Sequence, residues 1–429
     1  MRIHLFGALI LLCSCSDSFA ADWKAAAAKA VITPAEPMVL SGFASREVPA
    51  EGTAMDLYAK SLVIEDAIGT RFVMVTLDLV EVPFQLRDAV AAAAKEKFSL
   101  PAEALQLNCS HTHCGPELRY TELEFMSFTD PKRKEHCLRY NAWLTEKVIS
   151  IIGEALQHLE PATISYGHAR CGFAMNRRLK SDLPTGDPYL NSPNPEGVVD
   201  HDVPVLTVTN AENHLKAVVF GYACHNTSMN IKQWHGDYAG HAQQMIEETH
   251  PGTIALFMMG CGGDQNPYPR SELKYAQMHG RSLATAVEAA LETNQSTPRH
   301  QRPIHGLLSS VLETVDLEFA TPDRTDFAYP VQVIRFGDDL ILVALGTEVV
   351  VDYALRLKRE LTQSNGPAAW IAGYSNVSAG YIPSKRVLLE GGYEANSRPW
   401  KPTLEERIVG KVHELVKRVS EVTKTVSDR

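Results

Sequence analysis

Residues 72–77 read Phe-Val-Met-Val-Thr-Leu and are apolar at nearly every position. A strand of this kind is covered on both faces, so it belongs inside a layered body rather than on an open sheet. Further strand-like runs fall at 58–66, 105–108, 163–168, 203–208, 217–222, 254–259, 331–336, 340–345 and 368–372. Between them, helical spacing of apolar residues marks 85–97, 143–159, 238–249, 271–291, 349–361 and 403–422. Strands interleaved with helices predict an α/β fold, a layered mixed sheet flanked by helices, with any ligand crevice at the carboxyl ends of the strands. The alanine-rich stretch 24–31 fits either a helix or a strand. Residues 180–202 are rich in Pro, Asn, Gly and Asp with little periodicity, and read as a flap over the site or as a surface excursion.

Several strands end in polar motifs of few kinds. The strand at 105–108 runs into Ser110-His111-Thr112-His113, which Gly115-Pro116 then turns away. In extended backbone, residues i and i+2 point to one side, so both imidazoles can face one cavity. Histidines satisfied by hydrogen bonds at a strand end are the alternative. The strand at 217–222 leads to His225, and that at 254–259 to a glycine-rich run, Gly260 to Gly263, followed by Asp264-Gln265-Asn266-Pro267. Glycines there let the backbone approach a ligand closely; the run is neither a Walker loop nor a dinucleotide fingerprint. The strand at 340–345 ends in Gly346-Thr347-Glu348, and Tyr381 and Tyr393 follow the last buried strand. Asp78, also at a strand end, reads as a cap or turn former. Two or three imidazoles with one carboxylate suit zinc with a water in an open position, and metal-dependent hydrolysis is the leading reading.

Charge and leader narrow the setting. The net charge of −10 and the absence of a basic cluster argue against a nucleic-acid surface. Arg2, an apolar run over 5–12 and Ser18-Phe19-Ala20 predict a secretory signal peptide over residues 1–20, and hence a secreted or periplasmic protein without a transmembrane segment. Lipid anchoring at Cys15 is a second possibility. Of eight cysteines, Cys109, Cys114, Cys137, Cys171, Cys224 and Cys261 follow the leader and are expected to be small buried thiols.

The ordered set of motifs resembles the catalytic domain of the neutral/alkaline non-lysosomal ceramidase family. Ser110-His111-Thr112-His113-Cys114-Gly115-Pro116 resembles its Ser-His-Thr-His-Ser-Gly-Pro, and Asn176-Arg177 its Asn-Arg segment. His225 to Met229 resembles its second histidine motif, Gly346-Thr347-Glu348 its Pro-Gly-Glu, and Tyr381 with Tyr393-Glu394-Ala395 its final tyrosine pair. The resemblance implies one domain over 21–429 after the leader, and one Zn²⁺ held by His111, His225, Glu348 and Tyr381. It places His113, Arg177 and Tyr393 around a scissile amide, cleaved by metal-activated water, with Asn266 able to hydrogen-bond that water or an oxyanion. The implied substrate is a small-molecule or lipid amide, ceramide or another N-acyl or ester compound. Two departures stand out: Asn266 occupies the place of the family's serine in Gly-Asp-Val-Ser-Pro, and the family's C-terminal β-sandwich domain is absent. A non-catalytic or differently acting family member is therefore the competing reading.

Overall fold

The computed structural model describes residues 23–43, 45–118, 130–183, 186–292, 302–321, 326–362 and 366–427. The expected leader and Cys15 lie outside the described residues. The chain begins with β1 (Trp23–Val31), β2 (Tyr58–Asp66), β3 (Arg71–Leu77), helix α1 (Phe84–Phe98), β4 (Leu105–Cys109), helix α2 (Pro131–Gln157) and β5 (Glu160–Arg170). It continues with β6 (Ala174–Lys180), β7 (Tyr189–Asn194), β8 (Asp202–Asn210), β9 (Leu215–Tyr222), α3 (Asp237–Thr249), β10 (Ile254–Met259), β11 (Gln265–Pro267) and α4 (Leu273–Leu291). The rest comprises β12 (Arg302–Pro303), β13 (Leu308–Leu317), β14 (Phe327–Phe336), β15 (Leu340–Leu345), β16 (Glu348–Val349), α5 (Val351–Leu361) and β17 (Ala368–Ala372). It closes with β18 (Tyr381–Ile382), α6 (Lys385–Glu390), α7 (Tyr393–Asn396) and α8 (Leu404–Ser427).

One nine-stranded sheet runs β10-β9-β8-β5-β1-β2-β3-β4, with β12 added against β5. A four-stranded sheet runs β13-β14-β15-β17. Both are mixed, since β3–β4, β9–β10 and β15–β17 pair in parallel and the other pairs are antiparallel. Alternation along the strands sorts their side chains into separate cores. Val63, Val73, Val75 and Phe220 pack under the helices with Val90, Leu144, Ile152, Ile246 and Leu283. Their neighbours Leu62, Ile64, Phe72, Met74 and Val219 face the opposite way, against Ile334, Phe336, Leu342 and Trp370 of the second sheet. The far side of that second sheet, through Val331, Val333 and Val343, is covered by Tyr353 and Leu357 of α5 and by Ile408, Val412 and Leu415 of α8. The result is a four-layer helix–sheet–sheet–helix stack. Each fully buried aliphatic side chain in it is worth roughly 1.5–3 kcal/mol. That accounts for the apolar run at 72–77: β3 sits inside, with a layer on each face.

Three segments differ from the sequence reading or complete it. Residues 24–31 form a strand because β1 pairs residue for residue with β2, and long-range pairing overrides the helix preference of alanine. Helix α2 begins at Pro131, earlier than the apolar spacing suggests; Asp130 accepts a hydrogen bond from Lys132 N at 2.8 Å, and proline suits the first turn. Residues 180–202 carry the strand β7, which pairs with β6. All six cysteines named above are buried and free. Among the described residues, no helix is long and apolar enough to cross a membrane.

Candidate metal and hydrolytic site

The carboxyl ends of strands from both sheets meet at one place. Residues 372–376, just after β17, stitch it together: Cys109 N donates to Tyr374 O, Asn376 N to Leu107 O, and Gly373 N to Met259 O. His111 follows β4, His225 follows β9, Asn266 lies in β11, and Glu348 follows β15. His111, Thr347 and Tyr374 stand at these ends with left-handed φ values of 59°, 64° and 49°. Such conformations are uncommon outside glycine and persist where the surroundings enforce them. The backbone at His111 is thus not extended. His111 and His113 still reach one cavity, but the chain turns there instead of continuing the strand.

The cavity has a volume of about 670 Å³, and His111, His113, Arg177, His225, Asn266, Glu348, Tyr381 and Tyr393 all line it. His111 Nδ1 lies 2.6 Å from Val80 O, and His225 Nδ1 lies 2.8 Å from Gly262 O. A carbonyl can only accept, so each Nδ1 donates to it and each ring turns its Nε2 inward. Glu348 Oε2 sits 3.2 Å from both Nε2 atoms and has no hydrogen-bond partner among the described residues. Burial and then the Arg177 charge push His225 down to about 3, so its ring is neutral near pH 7. Burial would raise Glu348, yet the neighbouring histidines outweigh it and hold the carboxyl well below its usual range. Tyr381 OH completes the ring, 3.4 Å from His225 Nε2, to which its hydroxyl can donate. Ring nitrogens and a carboxylate oxygen at these distances are held together by a proton or a metal cation between them. The donor set therefore fits a metal ion.

His113 offers a second grouping. Its Nε2 is 3.2 Å from His111 Nε2, and candidate ligand atoms of His111, His113 and His225 all lie within 4.8 Å of one another. Burial, followed by the two neighbouring imidazoles, pushes His113 well below its usual value. Its Nδ1 is buried without a hydrogen-bond partner. The ring is walled in by Gly42: a Cβ on that residue would lie 2.3 Å from the ring carbon Cγ. Phe43 packs edge-on at 4.6 Å, and Arg46 Nη1 donates to His113 O.

Arg177 is held from three sides. Its Nε donates to Glu394 Oε1 at 2.9 Å, Nη1 to Asn266 Oδ1 at 3.3 Å and Nη2 to Tyr381 OH at 2.9 Å. Burial opposes the charge, but Tyr381 and Glu394 outweigh it and hold the guanidinium well above its ordinary value. The other oxygen of Glu394 accepts from Arg178 Nη1 at 2.7 Å. Tyr393 is half exposed and its ring lies 5.3 Å from that of Tyr381.

The sequence reading missed the supports. Gly42, Glu394, Arg178 and Tyr374, whose ring lies 4.6 Å from that of His111, carry no signal of their own except that Glu394 adjoins Tyr393. The glycine-rich run also has a different purpose from the one expected. Gly263 N donates to Val349 O, and a Cβ on Gly263 would lie 2.8 Å from Glu348 O. These glycines let strand ends approach each other, not a ligand. Residues 180–202 contribute Asp187 and Asn191 to the cavity lining.

Residues 25–267 match the family described as neutral/alkaline non-lysosomal ceramidase, N-terminal. Two solved structures share the fold. One is a ceramidase complexed with C2, with a TM-score of 0.73 at 19% identity, covering 89% of this chain and 73% of that one. Neutral ceramidase from Pseudomonas aeruginosa gives a TM-score of 0.70 at 20% identity, covering 89% of this chain and 72% of that one. No curated protein matches the chain closely enough to count as a relative.

Proposed function

The chain belongs to the neutral/alkaline non-lysosomal ceramidase family, and from that premise we propose that it is a secreted zinc-dependent hydrolase of N-acyl bonds. Its substrate is ceramide or another N-acyl or ester compound. The observation that carries the reading is the convergence of His111 Nε2, His225 Nε2 and Glu348 Oε2, each imidazole fixed from behind through its Nδ1. In this reading His111, His225, Glu348 and Tyr381 hold the ion, and Val80 and Gly262 fix the two imidazole tautomers. A bound Zn²⁺ supplies a Lewis acid and lowers the pKa of water toward neutrality.

The remaining side chains act on the substrate. Arg177 uses three of its nitrogens on Glu394, Asn266 and Tyr381, which leaves two N–H bonds of its fork for a developing oxyanion. Preorganised donors of this kind stabilise charge in the transition state without reorganising. His113 is neutral and walled on one face, so it offers an imidazole N–H or lone pair in a fixed direction. Tyr393 supplies a hydroxyl from the more exposed side. Asn266 cannot form an acyl intermediate. Its amide, bonded to Arg177, orients the guanidinium, which supports attack by water over attack by a side chain.

The test is metal content by mass spectrometry on the purified chain and on His111→Ala, together with hydrolysis of a panel of N-acyl amides, ceramide included. About one zinc per chain, lost with His111 and accompanied by metal-dependent turnover, is the expected result. A chain that binds no metal after zinc is supplied would overturn the proposal.

A further inference from the structure

Four arginines line the cavity, and three of them have committed partners. Arg133 pairs with Glu117 at 2.7 Å, Arg177 with Glu394, and Arg46 donates to backbone carbonyls including His113 O and Ile231 O. Arg270 is the exception. It is half-buried and lines the same cavity, yet it makes no hydrogen bond or ion pair among the described residues. A guanidinium left partly desolvated and unpaired is costly unless something else completes it.

Its surroundings are fixed. Ser271 N donates to Ser228 O at 2.7 Å, and Met229 bridges Ser271 in parallel, so the segment bearing Arg270 runs alongside that bearing Thr227. Thr227 also lines the cavity, is only 2% exposed, and its Oγ1 has no hydrogen-bond partner. A cation left unpartnered on the cavity wall, close to the histidine cluster and with the sealed Thr227 hydroxyl behind it, forms a receptor for an anion. The planar fork of arginine matches a carboxylate in particular. Of the other carboxylates on the cavity, Glu117 pairs with Arg133 and Glu81 accepts from Ser378, while Glu47, Asp130 and Asp187 sit at exposed positions where water screens them.

We propose that Arg270, with Thr227 beside it, is a subsite for a carboxylate carried by the substrate. The amides cleaved here are then N-acyl compounds bearing an acidic group, such as N-acyl amino acids, in preference to neutral N-acyl sphingoids. The proposal rests on the hydrolase reading above for the word "cleaved", but the subsite itself can be tested by binding alone.

The probes are decanesulfonylglycine and its neutral counterpart decanesulfonylglycinamide, which resist hydrolysis, titrated calorimetrically into the zinc-supplied full chain. The acid should bind at least roughly tenfold tighter than the amide, as one charge-assisted contact provides. Arg270→Gln should narrow that ratio to below about threefold in a chain with unaltered unfolding, and Arg270→Lys should keep part of it. Equal affinities in the parent protein, or an unchanged ratio in Arg270→Gln, would overturn the subsite. Should the ratio depend on Arg270 while no amide is ever hydrolysed, the hydrolase reading falls and the anion subsite stands. Hydrolysis without the ratio has the opposite meaning.

Discussion

Glu348 lies directly opposite Tyr381 in a two-residue parallel pair, and its N–H donates to Gly380 O at 3.1 Å. Two side chains more than thirty positions apart in sequence are thereby locked side by side, and both turn toward His225. Backbone pairing, more than side-chain packing, sets their spacing.

From that pairing, Tyr381→Phe should leave the ring stacked on His225, 6.4 Å between centroids, while removing the hydroxyl. Zinc affinity, measured by competition with a chromogenic chelator, should fall roughly tenfold or more, as for other losses at a metal site. An unchanged affinity would exclude the phenol from the ligand set.

Glu394 is 1% exposed and joins Arg177 and Arg178. Glu394→Gln should destabilise the chain by up to about 3–5 kcal/mol, because buried Arg177 loses its counter-charge and Arg178 keeps only Glu390. Turnover should drop with zinc content intact. Urea unfolding and metal analysis on one preparation separate the two effects; lost zinc would mean that the pair supports the metal ligands instead.

Gly42 has φ +96° and presses on the His113 ring. Gly42→Ala should displace that ring, cutting turnover at least about tenfold with zinc still bound. The strained backbone should also cost roughly 1–3 kcal/mol. Normal turnover in the variant would show that the position of His113 is not critical.

Asp264 is fully buried, with Oδ1 accepting from Val351 N and Oδ2 from Asn176 Nδ2. Burial, then the Asp352 charge, pushes its carboxyl up to about 7; Glu394 adds to the rise and Arg386 opposes it. A carboxyl with a higher pKa in the folded chain binds the extra proton there. Its contribution is therefore favourable below about 4, the unfolded value, and is lost as pH rises toward 7. Asp264→Asn should remove that part of the decline, read as urea midpoints between about pH 4.5 and 8. Parallel curves for parent and variant would refute it.

What the sequence disclosed was the chemistry and the long regular elements. Strands such as Tyr58–Asp66 and Ile254–Met259 were legible because both faces are buried, so hydrophobicity marks them without ambiguity. β7 was not, since its residues are mostly half-buried or exposed and only pairing with β6 makes it a strand. The start of α2 could have been found from Asp130-Pro131, a cap followed by proline, had the apolar spacing not drawn attention to residue 143. At the site, imidazoles and carboxylates advertise themselves at strand ends. Gly42, Tyr374 and Glu394 do not, because their roles depend on contacts with residues that are distant in the chain. The left-handed φ at His111 likewise has no mark in the residue itself.

His111 and His225 hang from the nine-stranded sheet, whereas Glu348 hangs from the end of the four-stranded one. A group gripped by all three works like a rivet through two plates that are otherwise joined by greasy contact and by hydrogen bonds such as those of Gln332 and residues 372–376. Sliding one plate by a single residue, about 3.3 Å, would pull the holes out of line. The site is thus a gauge of sheet alignment: it should fail under mild denaturing stress while both plates are still flat, and hold them in line whenever it is filled.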